Sequence, residues 1–265
     1  MSFGPLEPGM PPRRRSRWWW VGPLASVIIF GASLVVLWHI VREIQPGELA
    51  NAFANASLRQ LGLACGFTAL SYLLLTGYDA LALKRLGLSI PYRTTALASF
   101  TSYSVSFTLG FPIVTGGTVR YWIYSPKGVR ASEVASLTVI AGLTFWLGLG
   151  AILCVSLLYA TPSVAVLART SPLVVQAVGA AVAAGTLGYL VWIASGERTI
   201  RVRGWNLPLP GLGITLGQMF LGAAEVCAAA AVLFVLLPGG HGIDYPSFLA
   251  VYVFACLVGI ASHAP

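Results

Sequence analysis

Five apolar stretches, each long enough to cross a lipid bilayer, restrict what this chain can fold into. A transmembrane helix needs about 20 predominantly apolar residues. The stretches that meet this length are Trp18 to Val41, Leu61 to Leu83, Val134 to Tyr159, Leu173 to Ala194 and Leu212 to Leu237. Charged residues make up 9% of the chain, against about a quarter in soluble domains. We therefore predict an all-α polytopic membrane protein.

The first stretch has the features of a retained membrane anchor. Arg13, Arg14, Arg15 and Arg17 precede Trp18, Trp19 and Trp20, a pattern typical of a basic interfacial anchor followed by an aromatic belt. The apolar run is too long for a cleaved signal peptide, and no clear small-residue cleavage site follows it. We therefore divide the chain into a basic cytoplasmic tail, residues 1–17, and a transmembrane domain, residues 18–265.

A sixth apolar segment, from Pro91 to Pro112, is interrupted by Gly110-Phe111-Pro112. Broken helices persist in membranes only where they are buried in protein or line a cavity. If residues 94–115 crossed the membrane, the sixteen Lys and Arg residues would divide eight and eight between the two faces. If the segment returns to its own side, thirteen share one face and three the other. The positive-inside rule therefore favours a re-entrant segment, with the basic face and the N-terminus cytoplasmic.

A second segment, from Tyr245-Pro246 to Pro265, resembles the first in length and in its proline boundaries. On the predicted topology the two segments enter from opposite sides, as inverted repeats with paired broken helices require. Such proline-bounded runs also arise by chance, and that alternative stays open. We expect about five full spans and two half-helix hairpins. The second hairpin is expected to be incomplete, because the apolar run stops without a polar tail.

Several segments resemble the lysylphosphatidylglycerol synthase transmembrane family, which includes the membrane half of the bacterial multiple peptide resistance factor. The resemblance is most specific in residues 116–125, GGTVRYWIYS, followed by Gly128-Val129, Glu133 and residues 143–148. Residues 78–83 resemble a second-helix motif, and Ser262-His263-Ala264-Pro265 resembles the start of a later one.

This resemblance implies a flippase-like domain that moves aminoacylated or other anionic-headgroup phospholipids between leaflets of the bacterial inner membrane. The larger members also carry an aminoacyl transferase domain. The 265 residues of this chain contain no such domain, so we expect this chain to have no enzymatic activity. One alternative is a membrane anchor that supplies lipid to a phosphatidylglycerol lysyltransferase, fused or separate. A lesser alternative is a small-solute transporter. The sequence also leaves a homo-oligomer open.

The strongest candidate for contacting a lipid headgroup is Arg120, because a guanidinium can bind a phosphate through two parallel hydrogen bonds. The alternative is an ordinary interfacial arginine. Thr115, Gly116 and Gly117 precede it, and the glycines would either bring free backbone amides to the headgroup or form a tight turn between helices. Tyr121 and Tyr124 would share a helix face beside Arg120, although an aromatic belt explains them nearly as well.

Acidic residues inside apolar segments form the second group of candidates, because a charge at mid-span costs on the order of 2.5–3.5 kcal/mol. Glu225, near the centre of its span, would be protonated, paired or hydrated. Asp79, closer to the end of its helix, would either recognise the amine of a lipid headgroup together with Glu225, or be solvated or paired with Lys84 or Arg85. Glu133 is expected to favour the dipole at the start of its helix. His263 is a candidate proton carrier or headgroup contact.

The remaining patterns predict no metal site and no cofactor. The four cysteines, Cys65, Cys154, Cys227 and Cys256, lie singly in apolar segments without metal-ligand spacing. No phosphate-binding loop, zinc motif or catalytic triad signature is present in the sequence. The net charge of +8 lies mainly on one membrane face and would meet anionic lipid rather than nucleic acid. The expected partners are therefore membrane phospholipids, with an aminoacyl transferase as a second partner.

Overall fold

The computed structural model describes Trp38 and residues 56–109, 112–159, 161–167, 170–196, 199–202, 205–238 and 242–262. The predicted basic tail, His263 and the first span, Trp38 excepted, lie outside these residues, as do Gly110 and Phe111. The helices are α1 (Leu58–Arg85), α2 (Tyr92–Leu109), α3 (Pro112–Tyr124), α4 (Ala131–Tyr159), α5 (Thr161–Leu167), α6 (Pro172–Ala194), α7 (Leu212–Leu236) and α8 (Tyr245–Ser262).

Four of these helices, α1, α4, α6 and α7, are long and apolar enough to cross a membrane. They coincide with four of the five predicted spans, so the prediction of an all-α polytopic membrane protein is confirmed. Two small features were not predicted. The short helix α5 follows α4, and a two-stranded antiparallel hairpin, β1 (Thr199–Val202) and β2 (Trp205–Pro208), joins α6 to α7.

Local signals in the sequence explain where several helices begin. Ser57 caps α1 through a reciprocal capping box with Gln60. Glu133 lies in the first turn of α4, where its carboxylate accepts hydrogen bonds from the backbone and the guanidinium of Arg130, which confirms its structural role. Asp244 accepts a hydrogen bond from the backbone N–H of Ser247 at the start of α8, and bonding to Ser247 lowers the pKa of this carboxyl group.

Helix α4 lies at the centre of the bundle and packs against α1, α3, α6, α7 and α8. Helices α1 and α7 are antiparallel, because Gln60 bonds to Leu237 while Ser71 bonds to Glu225. Helices α4 and α7 run in the same direction, since Thr144 meets Gln218 and Gly148 meets Gly222. Both α4 and α7 therefore start at the end of the bundle where α1 finishes.

Helices α2 and α3 form a hairpin that returns to the end from which it starts. One core cluster joins the end of α1, the start of α2, the end of α3 and the start of α4 through Leu83, Ala98, Tyr124 and Val134. Helix α2 ends at Leu109 and helix α3 begins at Pro112, on either side of the predicted glycine-proline interruption. Because both outer ends of the hairpin lie beside the same core cluster, this arrangement is the one that a re-entrant segment requires.

Helix α8 starts at the opposite end of the bundle. Phe234, near the end of α7, contacts both Tyr245 and Phe248 at the start of α8. Helix α8 then runs back along α7 and α4 through the cluster of Leu149, Val226 and Val253. The two proline-associated segments therefore enter from opposite ends, as the inverted-repeat prediction requires. The symmetry between the two halves stays a prediction.

One end of the bundle carries most of the described basic residues, and we call it the basic end. It comprises the end of α1, the start of α2 and the connection from α3 to α4, with Lys84, Arg85, Arg93, Lys127 and Arg130. Arg59 lies at the opposite end, in the first turn of α1. The prediction that Arg120 belongs to the basic surface is wrong, because its side chain is buried inside the bundle.

Candidate functional site

The most unusual feature of the interior is a buried ion pair between Asp79 on α1 and Arg120 on α3. Arg120 Nε donates to both carboxylate oxygens, at 3.2 and 3.0 Å, and Nη2 donates to Oδ1 at 2.8 Å. Asp79 is 0% exposed and Arg120 is 3% exposed. The expectation that Asp79 is solvated or pairs with Lys84 or Arg85 is therefore wrong, because the returning hairpin brings Arg120 to it instead.

Two tyrosines complete the surroundings of the ion pair. The Tyr124 hydroxyl donates to Asp79 Oδ2 at 3.2 Å. The Arg120 guanidinium carbon lies 4.8 Å from the centroid of the Tyr103 ring, within the range of a cation–π interaction. Each charged group thus has more than one partner, as a charge buried in a membrane protein needs. We call Asp79, Arg120, Tyr103 and Tyr124 the ion-pair cluster.

Glu225 lies deeper in the bundle and is connected to this cluster through aromatic contacts. Its carboxylate accepts hydrogen bonds from the Ser71 hydroxyl at 2.9 Å and the Tyr78 hydroxyl at 3.5 Å. The Tyr78 ring meets the Tyr103 ring edge-on, with centroids 6.1 Å apart. The salt bridges of the described residues involve only Asp79 with Arg120 and Glu133 with Arg130. Glu225 therefore lacks a cationic partner within that part of the chain.

The structure assigns Gly116 a role different from the expected one. Gly116 and Gly117 lie within α3, so the predicted turn between helices is wrong, and their amides belong to the helix. A Cβ added to Gly116 would lie 2.7 Å from Ser106 Oγ and 3.1 Å from Arg120 Nη1. Because Gly116, Arg120 and Tyr124 are spaced by four residues, they share one face of α3. The missing side chain of Gly116 leaves the space that the Arg120 guanidinium occupies.

We expect Gly116→Ala to lower the free energy of unfolding by about 1 kcal/mol, since Ser106 and Arg120 must both shift to admit the methyl group. Gly117→Ala is the matched control, because its Cβ would meet only Thr138 Oγ1, at 3.7 Å. Chemical unfolding of the two variants in the same detergent measures the difference. Equal stability of the two variants would contradict this role for Gly116.

The other predicted residues of this segment are divided between two faces of α3. Tyr124 is buried in the ion-pair cluster, whereas Tyr121 is 42% exposed. Gly117 and Tyr121 line an open, mainly apolar groove of about 540 Å³ between α3 and α4, together with Thr118 and Thr138. Thr115 donates to Ser106 Oγ at 3.3 Å and links α3 to α2. Arg120, Tyr124 and Gly116 therefore lie on the face of α3 that meets Asp79 or its direct partner.

Sequence reasoning missed the polar face of α2. Thr95, Ser99, Ser102 and Ser106 are each at most 2% exposed, and their three- and four-residue spacing places them on one face. Ser99 donates to the backbone carbonyl of Leu75 on α1 at 2.9 Å. This spacing was present in the sequence and could have identified the buried face, because an apolar segment with hydroxyls on one side packs that side against protein.

A second polar contact joins α4 to α7. Gln218 Nε2 donates to Thr144 Oγ1 at 2.7 Å, and both side chains are fully buried. One turn farther along, Gly148 and Gly222 bring the two backbones together. These residues fix how α7, which carries Glu225, lies against α4. Within the described ranges no group of His, Cys, Asp and Glu side chains could hold a metal ion.

No protein-family model matches the chain. The chain is 29% identical over 214 residues to the uncharacterized protein slr0712 of Synechocystis sp., a match that covers 81% of this chain and 66% of that protein. It is 25% identical over 253 residues to the inner membrane protein YbhN of Escherichia coli K12, which covers 94% of this chain and 78% of YbhN. The match thus spans slightly less than two thirds of slr0712. Together with the four apolar helices, these similarities identify a multi-pass membrane protein.

Proposed function

We propose that this protein translocates aminoacylated phospholipids, such as lysylphosphatidylglycerol, or other phospholipids with anionic headgroups between the leaflets of a bacterial inner membrane. The observation that carries the proposal is the buried pair of Asp79 and Arg120 at the inner side of a re-entrant hairpin. The similarity to an inner membrane protein of Escherichia coli supports the location. On this proposal the basic end and the N-terminus face the cytoplasm.

The chemistry of the pair suits a phosphate. An arginine fork binds carboxylate and phosphate with the same two parallel hydrogen bonds, so a lipid phosphate can replace Asp79 on Nε and Nη2. Asp79 then becomes free to bind a cation. A lysyl headgroup carries one phosphate charge and two ammonium groups, so its phosphate would bind Arg120 while its ammonium groups bind Asp79 and an ionised Glu225. An exchange of this kind pairs every charge of the lipid and of the site in the membrane interior.

A purely structural explanation accounts less well for the pair. Burying two charges costs several kcal/mol per ion before their attraction is counted, and apolar residues of similar volume often stabilise a protein equally well or better. Charged residues inside membrane spans are rare and costly, and they mark substrate or ion pathways, proton relays and ligand counter-ions. The ion-pair cluster is therefore better explained as a resting state of a binding site.

The shape of the grooves argues against a small-solute transporter, and the buried ion pair argues against a simple membrane anchor. A small-solute transporter would enclose an aqueous cavity, whereas two grooves that described residues line, at the α1–α2 connection and between α3 and α4, are open. An anchor that only supplies lipid to an aminoacyl transferase would need neither Asp79 nor Arg120 in its interior. Open grooves beside a buried ion pair favour a lipid carrier.

Replacing Arg120 by lysine tests the proposal. Lysine keeps a positive charge opposite Asp79 but lacks the planar fork, so we expect lipid transfer to fall by at least about tenfold, as loss of one charge-assisted hydrogen bond implies. The measurement is the rate at which fluorescent phosphatidylglycerol in proteoliposomes becomes accessible to a membrane-impermeant quencher, with lysylphosphatidylglycerol assayed in parallel.

Lys127→Ala provides the matched control, because Lys127 is an exposed cation of the basic end that lies outside the ion-pair cluster. Its rate should equal that of the unsubstituted chain. Unfolding curves show whether Arg120→Lys is still folded. An unaltered transfer rate in folded Arg120→Lys, or no transfer above protein-free liposomes by the unsubstituted chain, would refute the proposed function.

A further inference from the structure

The connection between α1 and α2 borders an open, groove-like cavity of about 390 Å³ at the basic end of the bundle. The walls come from the last two turns of α1, the connecting residues and the first turn of α2. The lining residues are Ala80, Leu83, Lys84, Gly87, Leu88, Ser89, Ile90, Tyr92 and Thr95. We call this space the α1–α2 cavity. It lies outside the ion-pair cluster, and none of the lining residues was predicted to bind a ligand.

Three features of the α1–α2 cavity favour an anionic ligand. Lys84 is its single charged lining residue, is exposed, and has no salt bridge within the described part of the chain. Ser89 adds an exposed hydroxyl group that can donate a hydrogen bond, whereas the Thr95 hydroxyl already donates to the Pro91 carbonyl at 3.5 Å. The remaining walls are mainly apolar, through Leu83, Leu88 and Ile90. A cation and a hydroxyl within apolar walls match a phosphate that carries an apolar substituent.

The backbone at Gly87 forms part of the edge of the cavity. Gly87 has a φ of +67°, in the left-handed region that glycine adopts without strain. A Cβ at this position would meet no atom within 4 Å, so the backbone borders free space. Tyr92 forms the opposite wall and is held against α1 by a contact of 2.7 Å between its hydroxyl and Thr76 Oγ1.

The innermost wall of the cavity leads directly to the ion-pair cluster. Leu83 and Thr95 both line the cavity and are at most 4% exposed, and Leu83 packs in the same core cluster as Tyr124. Tyr124 in turn donates to Asp79. Tyr124 therefore links the inner wall of the cavity to the carboxylate that Arg120 binds.

We propose that the α1–α2 cavity is a loading site, in which Lys84 binds the phosphate of an anionic phospholipid before its headgroup reaches Arg120. This inference deepens the proposed function and rests on it. Tyr124 links the loading site to the ion-pair cluster, and displacement of its side chain opens the way to Asp79. The ligand chemistry is a phosphate ester with apolar tails, presented at the basic membrane face.

The test measures binding without transport. Dihexanoyl phosphatidylglycerol is titrated onto the full chain in an uncharged detergent, and the rise in melting temperature gives an apparent Kd. Lys84→Ala should weaken that Kd by about tenfold, since one hydrogen bond to a charged group is lost. Lys127→Ala, which removes an equal charge from the same end of the bundle outside the cavity, should change it less than about twofold.

A second pair of variants tests shape rather than charge. Ser89→Trp should fill the cavity and weaken binding strongly although Lys84 is kept, whereas Ser89→Ala, which removes one hydroxyl without filling the cavity, should weaken binding far less. Ser89 is exposed and lies outside the helices, so both variants are expected to fold, and their melting temperatures without lipid verify this. Binding that is unaffected by both Lys84→Ala and Ser89→Trp would overturn the loading site.

Inorganic phosphate, titrated in parallel, separates a lipid ligand from a soluble one. Stabilisation by the lipid at concentrations where phosphate has no effect supports the loading site, and equal stabilisation by phosphate overturns its assignment to lipid. The inference and the proposed function fail separately. Lys84-dependent binding without any lipid transfer refutes the function alone, whereas Arg120-dependent transfer with Lys84-independent binding refutes the loading site alone.

Discussion

Replacing Asp79 by alanine is expected to lower the free energy of unfolding by about 3–5 kcal/mol, the usual cost of removing one partner of a buried ion pair. The change leaves the Arg120 guanidinium inside the bundle without the carboxylate that accepts from Nε and Nη2. It also leaves the Tyr124 hydroxyl without its acceptor. Denaturant or thermal unfolding in detergent, followed by tryptophan fluorescence, measures the loss.

Two comparisons make this prediction specific. The double variant Asp79→Asn with Arg120→Gln removes both charges and should recover most of the lost stability, because neither ion is left unpaired. Glu133→Ala breaks the salt bridge with Arg130, whose side chain is 77% exposed, and should cost far less. If the double variant is as unstable as Asp79→Ala, an unpaired buried charge does not cause the loss of stability, and the prediction is contradicted.

The double variant also separates stability from function. If the ion-pair cluster is a binding site, Asp79→Asn with Arg120→Gln should remain folded and still fail to transfer lipid, because the arginine fork is gone. If the pair only holds α1 against α3, the same protein should retain both stability and transfer. The unfolding and transfer measurements on a single preparation therefore distinguish the two roles.

Gly148→Ala is expected to lower the free energy of unfolding by about 3 kcal/mol, at the upper end of the usual overpacking cost. A Cβ at Gly148 would overlap the Gly222 backbone and lie 2.6 Å from the amide nitrogen of Ala223. The obstacle is backbone rather than a flexible side chain, so α4 and α7 must separate. Thermal unfolding in detergent measures the effect.

Gly142→Ala is the control for Gly148→Ala, because both glycines lie in α4 and a Cβ on Gly142 meets no atom within 4 Å. It should be neutral or slightly stabilising, since alanine is favoured over glycine within a helix by up to about 1 kcal/mol. Equal losses from the two substitutions would mean that α4 tolerates no alanine at either position, and the close approach to Gly222 would then not explain the result.

The overall fold followed from the sequence where the signal is local or is a simple count. The length of each apolar run fixed the four described spans, because crossing a bilayer imposes a minimum length on a helix. The division of basic residues between the two faces indicated the re-entrant hairpin, and the core around Leu83 and Tyr124 agrees with it. The short helix α5 and the β-hairpin were missed, because the conformation of such short connecting segments depends on the position of the long helices that they join.

The candidate site followed only in part. Arg120, Asp79 and Glu225 were selected from the sequence, since charges inside apolar segments are costly and therefore informative. Their partners were not, because Asp79 and Arg120 are 41 residues apart and Ser71 and Glu225 are 154 apart. Tyr103 and the hydroxyl face of α2 carry no charge and gave no comparable signal.

The sequence by itself determined that the chain spans a membrane, which apolar runs form the four described spans and which residues are too polar for lipid to surround. These properties depend on hydropathy and charge, which act within one segment or through a count of residues. Only the tertiary structure decided that Arg120 pairs with Asp79, that Gly116 makes room for the guanidinium and that Tyr124 packs with Leu83 while it donates to Asp79. Each of these contacts joins different helices, and their geometry is set by packing that no single segment contains.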